Sequence, residues 1–169
     1  MLPVALSFKK LPILLIGQDE KLHARKEKLI ELGAVTLKVV DSEFDKIDFT
    51  GFPIVMIVGL NDDLSEDLHD KAKVNGALVN VEDNRKYCDF FFPSYLKRGD
   101  LVISVSSNGK SPATSKIVRD KLAQIFPAIW SKRIEEIGYK RSEWKKEGQT
   151  YEEIDQHTQE YIKKNSWLD

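Results

Sequence analysis

A loop around Gly17 carries the first residues whose types and spacing suggest a binding site. Gly17 follows an apolar run, residues 12–16, and precedes a helical pattern. Dinucleotide-binding proteins carry G-x-G-x-x-G at such a junction, because glycines let the backbone approach a pyrophosphate at a helix N-terminus. Here Gln18 and Asp19 follow the first glycine, and Glu20 adds a second carboxylate. Both carboxylates favour a helix start but repel a pyrophosphate, so the loop predicts either a dinucleotide site or a capped helix.

Asp41 is the second candidate for this chemistry. It ends a β-branched run, residues 35–40. Its distance from Gly17 is close to the roughly 20-residue offset at which an acidic residue binds a cofactor ribose. Aspartate is also an ordinary strand terminator, so both interpretations stay open.

The sequence predicts no structural metal. The only cysteine, Cys88, excludes an intrachain disulfide and a multi-cysteine zinc or iron–sulfur site. The three histidines, His23, His69 and His157, lie far apart without the spacing of metal ligands. A single cysteine also fits a reducing compartment, so a cytoplasmic protein is expected.

Charge and hydropathy exclude other activities. The 169 residues include 26 Lys+Arg and 27 Asp+Glu, for a formal net charge of -1. This balance argues against a basic arm that binds nucleic acid. No apolar stretch approaches the ~20 residues that span a bilayer. We therefore expect neither a nucleic-acid partner nor a membrane association.

The elements that must position these residues alternate between short strands and helices. Strands are predicted over residues 12–16, 35–40, 54–58 and 77–81, and helices over residues 20–32 and 64–74, the second with Ser65 as its N-cap. This alternation predicts an α/β fold with a Rossmann-like parallel sheet.

The pattern changes after Asp83. Strands are predicted over residues 90–93 and 101–105, and the connection between them, residues 97–100, predicts a hairpin. A helix is predicted over residues 113–126, opened by Pro112. From residue 128 onward, apolar residues at helical spacing predict two or three helices, interrupted at Gly138 and Gly148.

Three segments between residues 80 and 112 carry a family pattern. They are Asn80-Val81-Glu82-Asp83, Cys88-Asp89-Phe90-Phe91-Phe92-Pro93-Ser94, and Ser104 through Pro112. Together they resemble the precorrin-2 dehydrogenase / sirohydrochlorin ferrochelatase family, the N-terminal part of siroheme synthase. Members of that family carry Asn-Val-x-Asp, Cys-Asp-Phe-x-x-Pro and Ser-x-Gly-x-Ser-Pro in this order. The match is collinear from Leu2-Pro3-Val4 to about Phe126.

The resemblance implies a fold and an activity. The fold is a Rossmann-like NAD-binding domain over residues 1–88, a small β-rich dimerisation segment over residues 89–126 and a C-terminal helical segment over residues 127–169, in a homodimer. The activity is NAD-dependent oxidation of precorrin-2 to sirohydrochlorin, a tetrapyrrole, with iron insertion as a further step in which Fe²⁺ is a substrate.

The resemblance also assigns the site residues. Asp83 matches the aspartate that the family uses for both steps. Cofactor binding falls on Gly17, Gln18, Asp19, Asp41 and Asn61. Tetrapyrrole binding falls on Asn80, Ser107, Asn108, Gly109, Lys110 and Ser111.

Departures from the family pattern keep other interpretations open. The family's Gly-Gly-Gly is Gly17-Gln18-Asp19 here, and its Arg-Lys pair matches Arg25-Lys26 only with one extra loop residue. One alternative is a chelatase-only or tetrapyrrole-binding relative whose acidic loop has abolished cofactor binding. Another is a dinucleotide-sensing regulatory module, because fold alone does not define function. For the later loop, a helix N-cap at Ser111 is the structural alternative.

Overall fold

A computed structural model describes residues 4–168 of the chain. Within it the chain forms two compact units, one up to Phe92 and one from Pro93 onward. Leu2 and Pro3, where the family resemblance begins, lie outside the described residues. The role of residues 89–126 in dimerisation stays a prediction.

The first unit is a parallel sheet with helices on both faces. Its elements are β1 (Ile13–Gly17), α1 (Asp19–Glu31), β2 (Leu37–Val40), β3 (Ile54–Val58), α2 (Asp62–Val74) and β4 (Leu78–Val81), with short 3₁₀ helices at Phe44–Lys46 and Arg85–Tyr87. The strand order is β2-β1-β3-β4, and all three pairings are parallel. This arrangement confirms the predicted Rossmann-like α/β fold.

The two faces of this sheet bury different side chains of the same strands. On one face Leu14, Ile16, Val55 and Ile57 pack with Leu68 and Ala72 of α2. On the other face Ile13, Leu15, Ile54 and Met56 pack with Leu22 and Leu29 of α1. Strands covered on both sides need apolar residues at every position, which explains the continuous apolar runs in the sequence.

Gly17 is required where β1 passes β3. A Cβ at this position would lie 2.1 Å from the Val58 carbonyl oxygen, so backbone would have to move. We expect Gly17→Ala to lower the free energy of unfolding of the first unit by about 2–3 kcal/mol, the usual cost of overpacking. Urea unfolding followed by circular dichroism measures this loss.

A second glycine provides the matched control. Gly138 lies inside a helix, and no atom lies within 4 Å of the point that a Cβ would occupy there, so Gly138→Ala should stabilise its helix by roughly 0.5–1 kcal/mol. An unchanged unfolding midpoint for Gly17→Ala would contradict the packing argument.

The second unit combines a β-hairpin with three helices. Its elements are β5 (Ser94–Arg98), β6 (Leu101–Val105), α3 (Pro112–Ile125), α4 (Trp130–Lys146) and α5 (Tyr151–Lys164). The two strands pair antiparallel around a tight turn. Arg98 Nε donates a hydrogen bond to the Phe126 carbonyl at 2.8 Å, which ties β5 to the end of α3.

Aromatic residues hold the helical end of this unit together. Trp130 is buried and its ring contacts those of Phe126 and Trp167. The Arg133 guanidinium lies 5.2 Å from the Trp130 ring and 5.4 Å from the Trp167 ring. It also donates a hydrogen bond to the Trp167 carbonyl at 3.0 Å. Residues after α5 therefore pack against the start of α4.

Several predicted boundaries differ from those of the structure. Helix α2 begins at Asp62 rather than residue 64, because Asn61 caps it and Ser65 is buried inside it. The fifth strand begins at Ser94, after the predicted residues 90–93, which form no strand. Gly138 lies within α4 rather than interrupting it, whereas Gly148 does lie between α4 and α5.

Candidate functional site

The carboxyl ends of β1 and β3 form a topological switch point. From β1 the chain continues to β2 on one side, then crosses to β3 on the other. The loops after β1 and β3 therefore diverge, and ligands of open α/β sheets bind in the crevice between such loops. A cleft of about 740 Å³ lies at this edge, lined by Asp19, Glu20, Lys21, Gly59, Leu60, Asp62, Glu82, Asp83 and Asn84.

The loop after β1 keeps the backbone path of a glycine loop. Asp19 has a φ of 61°, in the left-handed region that glycine adopts without strain. Gln18 is the N-cap of α1, and its side chain makes no capping hydrogen bond. Gly59 approaches closely, since a Cβ there would lie 2.6 Å from the Gln18 carbonyl oxygen. The structure thus places the predicted residue Asp19 in the lining of the cleft at a helix N-terminus, whereas its predicted neighbour Gln18 is not among the lining residues.

Charge in this cleft is predominantly negative. Five lining residues carry carboxylates, namely Asp19, Glu20, Asp62, Glu82 and Asp83, and Lys21 is the one cation among the residues that line it. Lys21 Nζ lies 2.9 Å from Asp83 Oδ2 and 3.3 Å from Glu82 Oε2. Hydrogen bonds to Asp83 and then to Glu82 raise the pKa of Lys21 above its ordinary value. Lys21 therefore stays charged and partly offsets the acidic lining.

Asp83 lies just after β4 on the same edge of the sheet. It adopts a φ of 60°, and its side chain is 80% exposed. The left-handed backbone aims an otherwise unburied carboxylate into the cleft, where Lys21 is its partner. An exposed carboxylate at this position can accept a proton from a bound molecule.

Asn80 is buried and bonded to the protein's own groups. Its Oδ1 accepts a hydrogen bond from Arg25 at 3.3 Å, and its Nδ2 donates to the Phe90 carbonyl at 2.9 Å. Arg25 in turn forms an ion pair with Glu82 at 3.0 Å. The Asn-Val-x-Asp segment is thus joined to α1 and to the following Cys-Asp-Phe segment. Substrate binding by Asn80 stays a prediction.

Asp41 and Asn61 follow their strands as predicted. Asp41 comes directly after β2, the neighbour of β1, and its exposed carboxylate accepts a hydrogen bond from the Ser42 hydroxyl at 3.1 Å. Asn61 caps α2, since its Oδ1 accepts from the Leu64 N–H at 2.9 Å. Neither is among the residues that line the cleft, and their cofactor roles stay predictions.

The predicted tetrapyrrole-binding loop belongs to the second unit. The Ser111 hydroxyl accepts a hydrogen bond from the Thr114 N–H, so Ser111 is the N-cap of α3 and that structural alternative is confirmed. The Ser107 hydroxyl bonds both the N–H and the carbonyl of Ser111, at 3.0 and 2.9 Å. Asn108 and Gly109 adopt positive φ, and Lys110 is exposed. Substrate binding by this loop also stays a prediction.

Cys88 is a packed thiol. Its Sγ donates to the Val81 carbonyl at 3.1 Å, and burial raises the pKa of the thiol above its ordinary value. A thiol of this kind is a poor nucleophile near neutral pH. The Cys88 thiol therefore has a structural role: its hydrogen bond to Val81 fixes the segment that follows β4 against the end of that strand.

Asp89 stabilises the same segment and yields a pH prediction. It accepts hydrogen bonds from Lys73 at 2.7 Å and from the Val79 N–H at 2.8 Å. Burial raises the pKa of Asp89, but the bonds from Lys73 and Val79 outweigh it and leave the pKa below its ordinary value of 3.8. Its stabilising effect is therefore present above the unfolded-state pKa and is lost as pH falls through the folded-state value.

We expect Asp89→Asn to lower the free energy of unfolding by about 1 kcal/mol near neutral pH. Urea unfolding at a series of pH values should show that the free energies of unfolding of the unsubstituted chain and of Asp89→Asn become equal in acid. Asp67→Asn is the control, because Asp67 belongs to an exposed helical pair with Lys71 and should change little. A difference that persists unchanged in acid would contradict the assignment.

A second, smaller recess adjoins Asp83, and the sequence assigned no site role to its residues Arg85, Phe91 and Phe92. Its volume is about 270 Å³, and Arg25, Asp83, Arg85, Phe91 and Phe92 are among its lining residues. The Arg25 guanidinium lies 4.9 Å from the Phe92 ring, and that of Arg85 lies 4.6 Å from the Phe91 ring. Residues 90–93 were predicted as a strand. Only the structure shows that the rings of Phe91 and Phe92 make cation–π contacts with Arg85 and Arg25.

Cleft geometry fits a dinucleotide. Gly17 and Gly59 permit the close approach of backbone, the first turn of α1 receives no cap from Gln18, and Asp41 follows the adjacent strand. Of these features, the uncapped helix N-terminus and the acidic residue after the neighbouring strand are the ones that hold a pyrophosphate and a ribose in such folds, whereas the glycines serve the packing of the protein's own backbone. The carboxylates of Asp19 and Glu20 would repel a pyrophosphate at this loop.

Metal-ligand clusters and membrane-spanning helices are both missing from residues 4–168. No three His, Cys, Asp or Glu side chains in that range are grouped so that they could hold a metal ion. In the same range, every helix is too short or too polar to cross a bilayer.

Comparison with known proteins supports this geometry. A family model described as "Putative NAD(P)-binding" matches residues 4–94, and a model described as "Sirohaem biosynthesis protein central" matches residues 98–125. A solved structure titled "SirC, precorrin-2 dehydrogenase" superposes with a TM-score of 0.76 at 16% identity, covering 100% of this chain and 93% of that chain. At this identity the likeness shows the fold.

Curated relatives are longer than this chain. Siroheme synthase 1 of Klebsiella pneumoniae is 29% identical over 163 residues, which is 85% of this chain and 35% of that protein. Siroheme synthase of Nitrosococcus oceani is 28% identical over 112 residues, 66% of this chain and 24% of that protein. The chain thus matches about a third or less of each relative's length. Since the first family model covers more than half of the chain, the chain belongs to that NAD(P)-binding family, in a form related by sequence to siroheme synthases.

Proposed function

We propose that this chain oxidises precorrin-2 to sirohydrochlorin with NAD. The observation that carries this proposal is the position of Asp83, which follows β4 and lines the cleft of an NAD(P)-binding domain whose relatives are siroheme synthases. The reaction removes one hydride and one proton from the tetrapyrrole. A cleft that places an exposed carboxylate beside the proposed dinucleotide site meets both needs.

Cofactor binding is proposed for Gly17, Gln18, Asp19, Asp41 and Asn61. NAD, when bound, supplies the acceptor for the hydride. Backbone N–H groups of the Gly17 loop and of the first turn of α1 would hold its pyrophosphate, and the Asp41 carboxylate would hold a ribose hydroxyl. Specificity for NAD over NADP follows, because the negative charge of Asp41 disfavours a 2′-phosphate.

Asp83 accepts the substrate proton in this proposal. Its carboxylate is exposed, and within residues 4–168 its one ion-pair partner is Lys21, whose flexible side chain can follow the change of charge. Substrate binding is proposed for Asn80 of the first unit and, in the second unit, for Ser107, Asn108, Gly109, Lys110 and Ser111. Lys110 and the loop N–H groups are suited to carboxylates of the substrate.

A second candidate function rests on the acidic lining of the cleft. Five carboxylates there oppose a pyrophosphate, which favours the alternative of a chelatase-only or tetrapyrrole-binding protein. In iron insertion, Fe²⁺ is a substrate and Asp83 accepts the pyrrole N–H protons that the metal displaces. The same residue thus serves either reaction.

We also propose that the chain works as a cytoplasmic homodimer. The hairpin and α3 expose Val102, Ile117 and Val118, which are apolar positions suited to self-association. Sedimentation equilibrium at micromolar concentration should give twice the mass of 19.4 kDa. A monomer at all concentrations would contradict this part of the proposal.

Calorimetric titration with NAD and with NADP tests the central proposal. Binding of NAD in the micromolar range, with weaker binding of NADP, would support it and lead directly to an assay of precorrin-2 oxidation. Absence of binding up to millimolar NAD would exclude the dehydrogenase and leave iron insertion or tetrapyrrole binding. Binding of NAD without any turnover of precorrin-2 would favour a dinucleotide sensor.

A further inference from the structure

Arg85 is held over an aromatic ring beside the candidate catalytic residue. It begins the 3₁₀ helix Arg85–Tyr87, two residues after Asp83. Its guanidinium lies 4.6 Å from the centre of the Phe91 ring, in the range of a cation–π contact. Both side chains and Asp83 line the smaller recess. Stacking on Phe91 restricts the guanidinium without using its N–H donors.

Among the described residues, no carboxylate forms an ion pair with Arg85. Its neighbours differ in this respect. Arg25 on the other side of the recess forms an ion pair with Glu82 at 3.0 Å, and Lys86 pairs with Glu66 at 3.4 Å and bonds the Tyr87 hydroxyl at 2.7 Å. Arg85 is therefore the cation of this recess whose donors the protein itself leaves available.

We propose that Arg85, stacked on Phe91, binds a carboxylate of the tetrapyrrole substrate in the recess beside Asp83. This inference rests on the proposed function and names a substrate-binding residue that neither the sequence motifs nor the family resemblance assigns. A guanidinium binds a carboxylate through two parallel N–H bonds, a geometry that lysine cannot reproduce. Fixing one substituent of the macrocycle here orients its ring relative to Asp83.

Aromatic side chains of the recess match the apolar ring surface of such a substrate. Phe91 is partly buried and Phe92 is 38% exposed, so both present ring surface to the recess. A conjugated macrocycle is flat and apolar on its faces and anionic at its periphery. The phenylalanine rings can pack against the faces of the macrocycle while the Arg85 guanidinium binds a carboxylate at its periphery. An inorganic anion would contact the guanidinium but not the rings.

Uroporphyrin I, a planar tetrapyrrole with eight carboxylates, is the probe for the test. Its own fluorescence anisotropy reports binding to the full chain. Arg85→Gln should weaken binding by about tenfold, and Arg85→Lys by less, because the charge is kept and the two-point geometry is lost. Lys86→Gln is the matched control, since it removes the same charge from the adjacent residue and should change binding by less than twofold. Calorimetric titration with NAD should be the same for all four proteins.

Each outcome decides the proposal. A selective loss in Arg85→Gln with partial recovery in Arg85→Lys supports it. Equal binding by Arg85→Gln and Lys86→Gln overturns the role of Arg85 while leaving the proposed function intact. Failure of the unsubstituted chain to bind the porphyrin overturns both the role of Arg85 and the proposed substrate class, and the NAD titration then shows whether the cofactor part of the proposed function survives.

Discussion

Replacing Asp19 by glycine is expected to tighten NAD binding by about tenfold. Asp19 lines the cleft at the N-terminus of α1, where the pyrophosphate of a dinucleotide is proposed to bind. Its carboxylate repels that group, while its backbone already has the φ of 61° that glycine adopts freely. Asp19→Gly thus removes the charge and leaves the loop path unchanged. Calorimetric titration with NAD measures the gain.

Asp19→Asn separates charge from backbone effects. Asparagine tolerates the left-handed region and carries no charge, so it should reproduce most of the gain. Lys26→Gln, on the following helix turn and outside the cleft lining, should leave the affinity unchanged. If neither Asp19 variant binds NAD more tightly than the unsubstituted chain, the pyrophosphate does not bind at this loop.

Asp83→Asn is expected to slow precorrin-2 oxidation by at least about a hundredfold, the usual contribution of a positioned acid or base. Asparagine occupies nearly the same volume and accepts a φ of 60°, but it cannot accept the proton. The side chain is 80% exposed, so the fold and the affinity for NAD should be retained. Steady-state oxidation monitored by NADH absorbance gives the rate.

Lys21→Met distinguishes a chemical role of Asp83 from a structural one. It breaks the same ion pair while leaving the Asp83 carboxylate in place. If Asp83 serves only to hold Lys21, both variants should lose the same activity. If Asp83 is the proton acceptor, Lys21→Met should retain far more turnover than Asp83→Asn. Full turnover by Asp83→Asn would remove this residue from the mechanism.

Strands of the first unit could be predicted because burial dictates their composition. Ile54–Val58 is apolar at every position and lies between two other strands with helices on both faces, so its predicted bounds match the structure. Edge strand β2 is only partly buried, and the predicted start at residue 35 is two residues too early. The sequence pattern therefore predicts a strand less accurately where fewer of its side chains are buried.

Local ambiguity explains the errors at α2 and β5. Both Asn61 and Ser65 are good N-cap residues, and only the structure shows that Asn61 bonds the Leu64 N–H. The Phe run has strong strand propensity, yet Phe90 packs against the core and Phe91 supports Arg85. Tertiary contacts decided both cases.

Most contacts of the site had no local sequence signal. The Lys21 to Asp83 pair joins residues 62 positions apart, and it forms because β4 lies beside β3 and α1 begins at the same edge of the sheet. Resemblance to a family located Asp83 but not its partner. Arg85 was missed for the same reason. Its proposed role in substrate binding depends on the position of Phe91 and on the absence of an ion-pair partner among the described residues.

Packing of Trp130, Trp167 and Arg133 has an optical consequence. All three tryptophans of the chain, Trp130, Trp144 and Trp167, lie after Pro93. The first unit has no tryptophan and a single tyrosine, Tyr87. Tryptophan emission is therefore an intrinsic label for the second unit alone, whereas unfolding of the parallel sheet must be followed by circular dichroism.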